Sequence, residues 1–228
     1  MNKHKTPMLS REMLTRIKLV RRDMGNLLFH FTRSSEENLN VKGRKKENAS
    51  SILRKILVEG KLMGTSGWTY GENCVCFTEA PIHEFNSIFS LVELASIEDE
   101  RPRYEPYGIA VNKEYLFRQG GRPVIYDHPD AFDELPKTHK YRFVPYDPEH
   151  GIDFTWEREW RIKTDFLKLD PGYSLVVVPT SSEAFELVYD FAEVQTEYDT
   201  YGEEAEVTGF YHEAKWLAVS LDLFGLKV

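Results

Sequence analysis

Cysteine is almost missing from this sequence: Cys74 and Cys76 are the only two in 228 residues. One residue apart, they point to the same face of a strand, where a disulfide between them would be strained. No second cysteine pair and no His-x-x-x-His spacing supplies further metal ligands, so no metal is expected and the pair reads as free core thiols. Also absent is any run of about 18 uncharged apolar residues, the minimum for a helix that crosses a bilayer. Met1 to Glu12 contain no apolar stretch of the kind that makes a secretory signal, and the chain therefore reads as cytoplasmic. Gly-x-Gly-x-x-Gly follows none of the expected strands, which argues against a Rossmann site. The glycine-rich passage Gly64 to Gly71 lacks the GK[ST] ending of a P-loop. A Gly-x-Ser-x-Gly nucleophile elbow is missing too, as are internal repeats and low-complexity segments.

What is present is the composition of an ordinary globular protein, 41% hydrophobic and 13% aromatic. The length suits a single core. We read residues 1–25 as an N-terminal amphipathic helix and 26–228 as one α+β domain. The net charge of −8 conceals a split, because residues 1–60 carry 14 Lys/Arg against 6 Asp/Glu and the remainder carries 15 against 31. A basic first quarter, with Lys42-Gly43-Arg44-Lys45-Lys46 at its centre, fits a nucleic-acid or acidic partner; the acidic remainder repels a phosphate backbone. Solvated helix faces paired within the fold would give the same numbers.

Taken in order, the pattern predicts a helix over 9–24 with Ser10 as N-cap, a strand over 27–32, and a helix from Ala49 to Glu59 closed by Gly60. Strands are expected at 74–79, 107–111 and 123–126, with a helix from Ala80-Pro81 to Ala95 and a short one capped by Asn112. Residues 127–153 read as a long surface connection. A strand follows over 154–163, then the Asp170-Pro171-Gly172 turn, a buried strand over 173–178, a helix capped by Ser181 or Ser182, an acidic loop, and a closing strand over 215–220. About seven strands without regular βαβ alternation point to α+β and not to a doubly wound sheet.

The densest chemistry lies in Phe154-Thr155-Trp156-Glu157-Arg158-Glu159-Trp160-Arg161. Strand alternation would set Glu157, Glu159 and Arg161 on one face. Packing alone does not require two carboxylates there. The simpler reading of Glu159 is an ion pair with Arg161, Arg158 or Arg142. Adjacent carboxylates on one strand also fit a glycosidase poorly, since its pair flanks a sugar cleft.

With His30-x-Thr32 early, Phe77-Thr78-Glu79 in the middle and Glu157-x-Glu159 late, the chain resembles the ADP-ribosyltransferases of bacterial toxins. A second resemblance covers most of residues 27–180. His30-Phe31-Thr32, Val75-Cys76-Phe77-Thr78-Glu79-Ala80-Pro81, Tyr107-Gly108-Ile109-Ala110-Val111, Gly120-Gly121-Arg122-Pro123-Val124-Ile125-Tyr126 and Trp156 to Arg161 are similar to AbiGi, an abortive-infection family associated with phage defence and labelled an antitoxin.

The resemblances imply a split antiparallel/mixed sheet with flanking helices and NAD as substrate. Glu159 would serve as the catalytic carboxylate at the nicotinamide ribose, with Glu157 orienting or deprotonating the acceptor. His30, Phe31 and Thr32 would hold the adenosine side, Thr78 would belong to the middle element, and Tyr70 or Phe77 would stack on nicotinamide. The acceptor would be protein or nucleic acid. A non-enzymatic antitoxin that binds a cognate toxin, or an NAD glycohydrolase, would be the alternative.

Overall fold

Thirteen strands and four helices form among the described residues of the computed structural model, namely 10–21, 25–35, 47–86, 89, 104–201 and 204–226. The strands are β1 (Leu27–Phe31), β2 (Lys61–Met63), β3 (Cys74–Thr78), β4 (Gly108–Asn112), β5 (Arg122–Pro123), β6 (Ile125–Asp127), β7 (Phe143–Pro145), β8 (Glu159–Lys163), β9 (Phe166–Lys168), β10 (Ser174–Val178), β11 (Ala192–Tyr201), β12 (Glu204–Ala214) and β13 (Leu217–Ser220). The helices are α1 (Arg11–Val20), α2 (Ala49–Glu59), α3 (Lys113–Arg118) and α4 (Ser181–Asp190). Seven strands make one mixed sheet in the order β13-β10-β4-β1-β3-β8-β5, in which β10 and β13 run parallel and the other pairs antiparallel. The class is α+β. No helix among the described residues is long and apolar enough to cross a membrane.

Period-two alternation divides the core in two, as each strand sends neighbouring side chains to opposite faces. Leu28, Val75, Phe77, Ile109, Val111, Trp160, Ile162, Val176 and Val178 pack on one face, under Leu53 and Leu57 of α2 and Leu187 of α4. Phe29, Ala110 and Val177 pack on the other, against Phe85, Leu221 and Leu226. Both faces are covered, so the central strands β4, β1 and β3 are apolar except at His30, Thr78 and Asn112.

Within this sheet one junction differs from the rest. β1 pairs with β4 over five residues and β3 with β8 over five, but β1 and β3 share a single pair, Phe29 with Thr78. The sheet is thus two hydrogen-bonded blocks, β13-β10-β4-β1 and β3-β8-β5, joined at one point.

Several expectations are corrected. The helix expected over 9–24, with Met13, Ile17, Val20 and Met24 at helical spacing, is α1 over Arg11–Val20; Ser10 caps it as expected, accepting from the Met13 amide at 3.1 Å, but Met13 and Val20 are exposed and Met24 lies outside the described residues. Thr180 rather than Ser181 or Ser182 caps α4, in a capping box with Glu183. Of the helix expected from Ala80 to Ala95, the described residues begin with a 3₁₀ turn, Ile82–Glu84, and are helical at Phe85, Asn86 and Phe89, with Phe85 buried; residues 87, 88 and 90–95 lie outside the described residues. The acidic loop expected after α4 is instead the long antiparallel pair β11 and β12. Val194, Thr196, Tyr198 and Thr200 put a strand-forming residue at every second position there, a pattern hidden among carboxylates. The long connection 127–153 contains β7, which pairs parallel with β6 and brings Phe143 and Val144 into the core.

Gly108 has a direct test. A Cβ there would stand 2.5 Å from the His30 carbonyl oxygen and 3.0 Å from the Phe31 ring. Neither neighbour can withdraw easily inside a five-pair register. Gly108→Ala is expected to cost about 1–3 kcal/mol by overpacking, read from urea unfolding; wild-type stability would mean that β1 and β4 separate more readily than their register implies.

Candidate functional site

Glu159 and Arg161 open β8 and, at alternate positions, share a face, as the sequence predicts. They are bound to each other. Arg161 Nε donates to Glu159 Oε1 at 2.7 Å and Nη2 to Oε2 at 3.0 Å, while Nη1 donates to the Tyr141 carbonyl at 2.7 Å and the Phe143 carbonyl at 3.2 Å. A guanidinium matches a carboxylate edge to edge in this way and fixes its orientation. Burial works against the Arg161 charge, and the hydrogen bonds and charge of Glu159 outweigh it, so its pKa is raised.

Glu157 does not share that strand face, contrary to the predicted alternation. Thr155–Glu157 form a 3₁₀ turn and Arg158 takes a left-handed conformation with φ of 47°. The turn starts at Asp153, whose Oδ1 accepts from the Thr155 amide at 2.9 Å and from its hydroxyl at 2.6 Å. An Asx side chain that bonds two residues ahead competes with extended backbone. The Thr78 hydroxyl holds the turn from the other side by donating to the Glu157 carbonyl at 2.6 Å. Thr78 pairs with Glu159 across β3 and β8, so the middle and late members of the predicted set do meet.

Around this pair stand groups that the sequence reading omitted. The Tyr126 hydroxyl accepts from the Glu159 amide at 3.0 Å, and burial, with the charges of Glu159 and Glu157 added, pushes its phenol up to about 12. Burial, reinforced by the Glu159 charge, also raises the Cys76 thiol, which removes it as a nucleophile near neutral pH. Cys74 and Cys76 are free, as expected. Tyr70 is half exposed, and its ring lies 4.3 Å from that of Phe132 and 6.1 Å from that of Phe143, so it packs on two neighbours while about half of the residue stays exposed.

The early members divide between the two faces of the sheet. Phe31 belongs to the face of Phe29, with its ring 4.9 Å from Phe85. Thr32 is buried and its hydroxyl is taken by the carbonyls of Ala49 at 3.1 Å and Tyr107 at 3.0 Å, so it ties α2 to the sheet rather than presenting a free hydroxyl. Phe77 is a core residue, 2% exposed, and cannot stack on a ligand without leaving the core. His30 sits where β1 and β3 part. Its Nδ1 lies 2.8 Å from the Cys76 carbonyl, which can only accept; Nδ1 therefore carries the proton and Nε2 is left as an acceptor. Its ring meets Phe77 edge to face at 5.7 Å.

Burial lowers the pKa of His30, with the Cys76 hydrogen bond opposing it. A base whose folded pKa lies below its unfolded value of 6.5 takes up its proton less readily in the folded state. Its contribution to stability is fully present above pH 6.5 and is lost as pH falls toward the folded pKa. The melting temperature is accordingly expected to drop between pH 7.5 and 5.5, and to drop less in His30→Gln. Parallel pH profiles for the two proteins would reject His30 as the cause.

One further cluster was not singled out by sequence. The Trp160 indole donates to Glu79 Oε2 at 2.8 Å, and Glu79 pairs with Lys113, whose Nζ lies 5.2 Å from the Trp160 ring. It borders a groove of about 380 Å³ lined by Lys113, Glu114, Phe117, Arg118 and Trp160. A larger groove of about 460 Å³ lies at β2 and β9. Neither Glu159 nor His30 lines these two grooves. Among the described residues no three His, Cys, Asp or Glu side chains converge as metal ligands.

Compared with family models, curated proteins and solved structures, the chain finds no match in any of the three.

Proposed function

We propose that the protein is an ADP-ribosyltransferase-like effector of a bacterial phage-defence system, with NAD as its substrate and a nucleic acid or protein as acceptor. The phage-defence setting comes from the AbiGi-like motifs. The parting of β1 from β3 carries the chemical reading: His30 lies at the parting, and Glu159 is paired with Thr78, the last residue that joins the two blocks. We read the divided sheet as ADP-ribosyltransferase-like for the same reason.

Breaking the bond between nicotinamide and ribose gives the ribosyl carbon oxocarbenium character, and a fixed carboxylate beside it lowers the barrier. Glu159 has that role here, accepting from the ribose 2′-hydroxyl while Arg161 holds its orientation. His30 Nε2 accepts from a hydroxyl of the adenosine-side ribose. Glu157, on the turn held by Thr78, is 5% exposed, and it orients the acceptor only once that turn moves outward. Tyr70 offers its exposed part to the nicotinamide ring.

The experiment is incubation of the protein with labelled NAD and cell lysate, following label separately on protein and nucleic acid. Transfer of label is expected; release of nicotinamide without labelled macromolecule would make the protein an NAD glycohydrolase. A second reading is favoured by the Glu159 to Arg161 fork, which occupies both carboxylate oxygens: a non-enzymatic antitoxin that keeps the fold and binds a partner protein. Absence of any NAD consumption would select it.

A further inference from the structure

The two-stranded ribbon of β2 and β9 buries one face and exposes the other. Leu62 and Leu167 pair across it and are 1% and 6% exposed, anchoring the ribbon to the core. On the outer face Lys61 is directly opposite Lys168, and Met63 is opposite Phe166, which is 54% exposed. Like charges opposed across a strand pair have Cβ atoms about 5 Å apart and destabilise the pair unless something neutralises them. The chain supplies little. Glu59 reaches Lys61 only at 3.7 Å, and no ion pair forms to Lys168 among the described residues.

A third lysine meets these two from a different part of the chain. Lys215 and Trp216, in the turn between β12 and β13, line the same groove of about 460 Å³, together with Lys61, Phe166 and Lys168. Lys215 has its own carboxylate, Glu193, only at 3.9 Å, well beyond the length of a tight charged hydrogen bond. Trp216 is 1% exposed and its indole N–H has no acceptor among the described residues. Lys61 Nζ also lies 5.9 Å from the Phe166 ring, leaving the aromatic surface beside the cations.

We propose that this groove is a binding site for a phosphate-bearing ligand, with Lys61, Lys168 and Lys215 around the phosphate and Phe166 stacked on the attached base. Cations with an exposed aromatic beside them are the arrangement that holds nucleotides through backbone charge and base stacking, without reading sequence. The site is separate from Glu159 and stands whether or not NAD is the substrate. The phosphate can belong to a free nucleotide or to a single-stranded polynucleotide.

The test is fluorescence anisotropy of a labelled single-stranded oligonucleotide titrated with the full chain at stepped salt concentrations, with unlabelled ADP as competitor. Three lysines at about 0.7 per phosphate give an expected slope of log K against log salt of roughly −2. Lys168→Gln is expected to weaken binding several-fold and to reduce the slope by about 0.7, without lowering the melting temperature, because it removes a like-charge opposition. Competition by ADP at comparable concentrations would support the site and assign it to nucleotides; oligonucleotide binding that ADP does not displace would assign it to polynucleotides. Binding unchanged in the triple variant Lys61→Gln, Lys168→Gln, Lys215→Gln, or no binding of either probe at low salt, would overturn the proposal. So would a fall in melting temperature that accounts for the loss.

Discussion

Arg161→Ala is expected to remove about 3–5 kcal/mol of stability, the largest loss from any single charge in the described fold. The figure follows from what is left behind. Arg161 is 4% exposed and makes four hydrogen bonds, two to Glu159 and two to the carbonyls of Tyr141 and Phe143. Its removal strands the Glu159 carboxylate in a place that water reaches poorly and releases the segment carrying β7 from β8. An exposed pair such as Arg16 with Glu12 offers the contrast, since solvent screens it and its loss should be within about 1 kcal/mol. Urea unfolding of the two variants side by side measures the difference. Similar small losses for both would mean that the Glu159 to Arg161 fork is far better hydrated than its burial indicates.

Glu159→Gln is expected to reduce NAD turnover by about 10²–10³-fold, the range for removing one preorganised group that stabilises transition-state charge. Glutamine keeps the shape of the side chain and one acceptor oxygen for Arg161. It removes the negative charge that the ribosyl cation needs, and it turns an amide toward the guanidinium. Some loss of stability must accompany the change, so the rate has to be measured where near-ultraviolet circular dichroism shows the variant still folded. A folded variant that turns NAD over at the wild-type rate sinks the assignment of Glu159; a folded wild type that consumes no NAD sinks the enzymatic reading altogether.

How much of this was legible in the sequence depends on the range of each interaction. Period-two patterns identified β1, β3, β4, β8 and β10, and local side-chain rules identified the caps Ser10 and Asn112 and the terminator Gly60. The link between Glu159 and Arg161 was legible as well, because strand alternation alone brings them to one face. The break at Arg158 was not, since the alternation of bulky residues continues through Trp156; Asp153, two residues before Thr155, was the local sign of a turn. β2, β7 and β9 escaped notice because each is three residues long and extended only by virtue of a partner far along the chain. Glu79 was visible as a residue but not as a site. Its partners Trp160 and Lys113 come from other elements, and only the packed sheet assembles them.

The one-pair junction between β1 and β3 also fixes where the large sheet yields first. Opening it breaks the ladder bonds of a single residue pair and the hydrogen bond from His30 to the Cys76 carbonyl, whereas opening β3 from β8 or β1 from β4 breaks the ladder bonds of five pairs. Unlike a surface loop, this line of least resistance runs through the interior, bounded on one side by the His30 ring and on the other by the Thr78 hydroxyl. Its position is set by backbone register, so changes of surface charge leave it where it is, and a bound molecule that widened it would have few hydrogen bonds to replace.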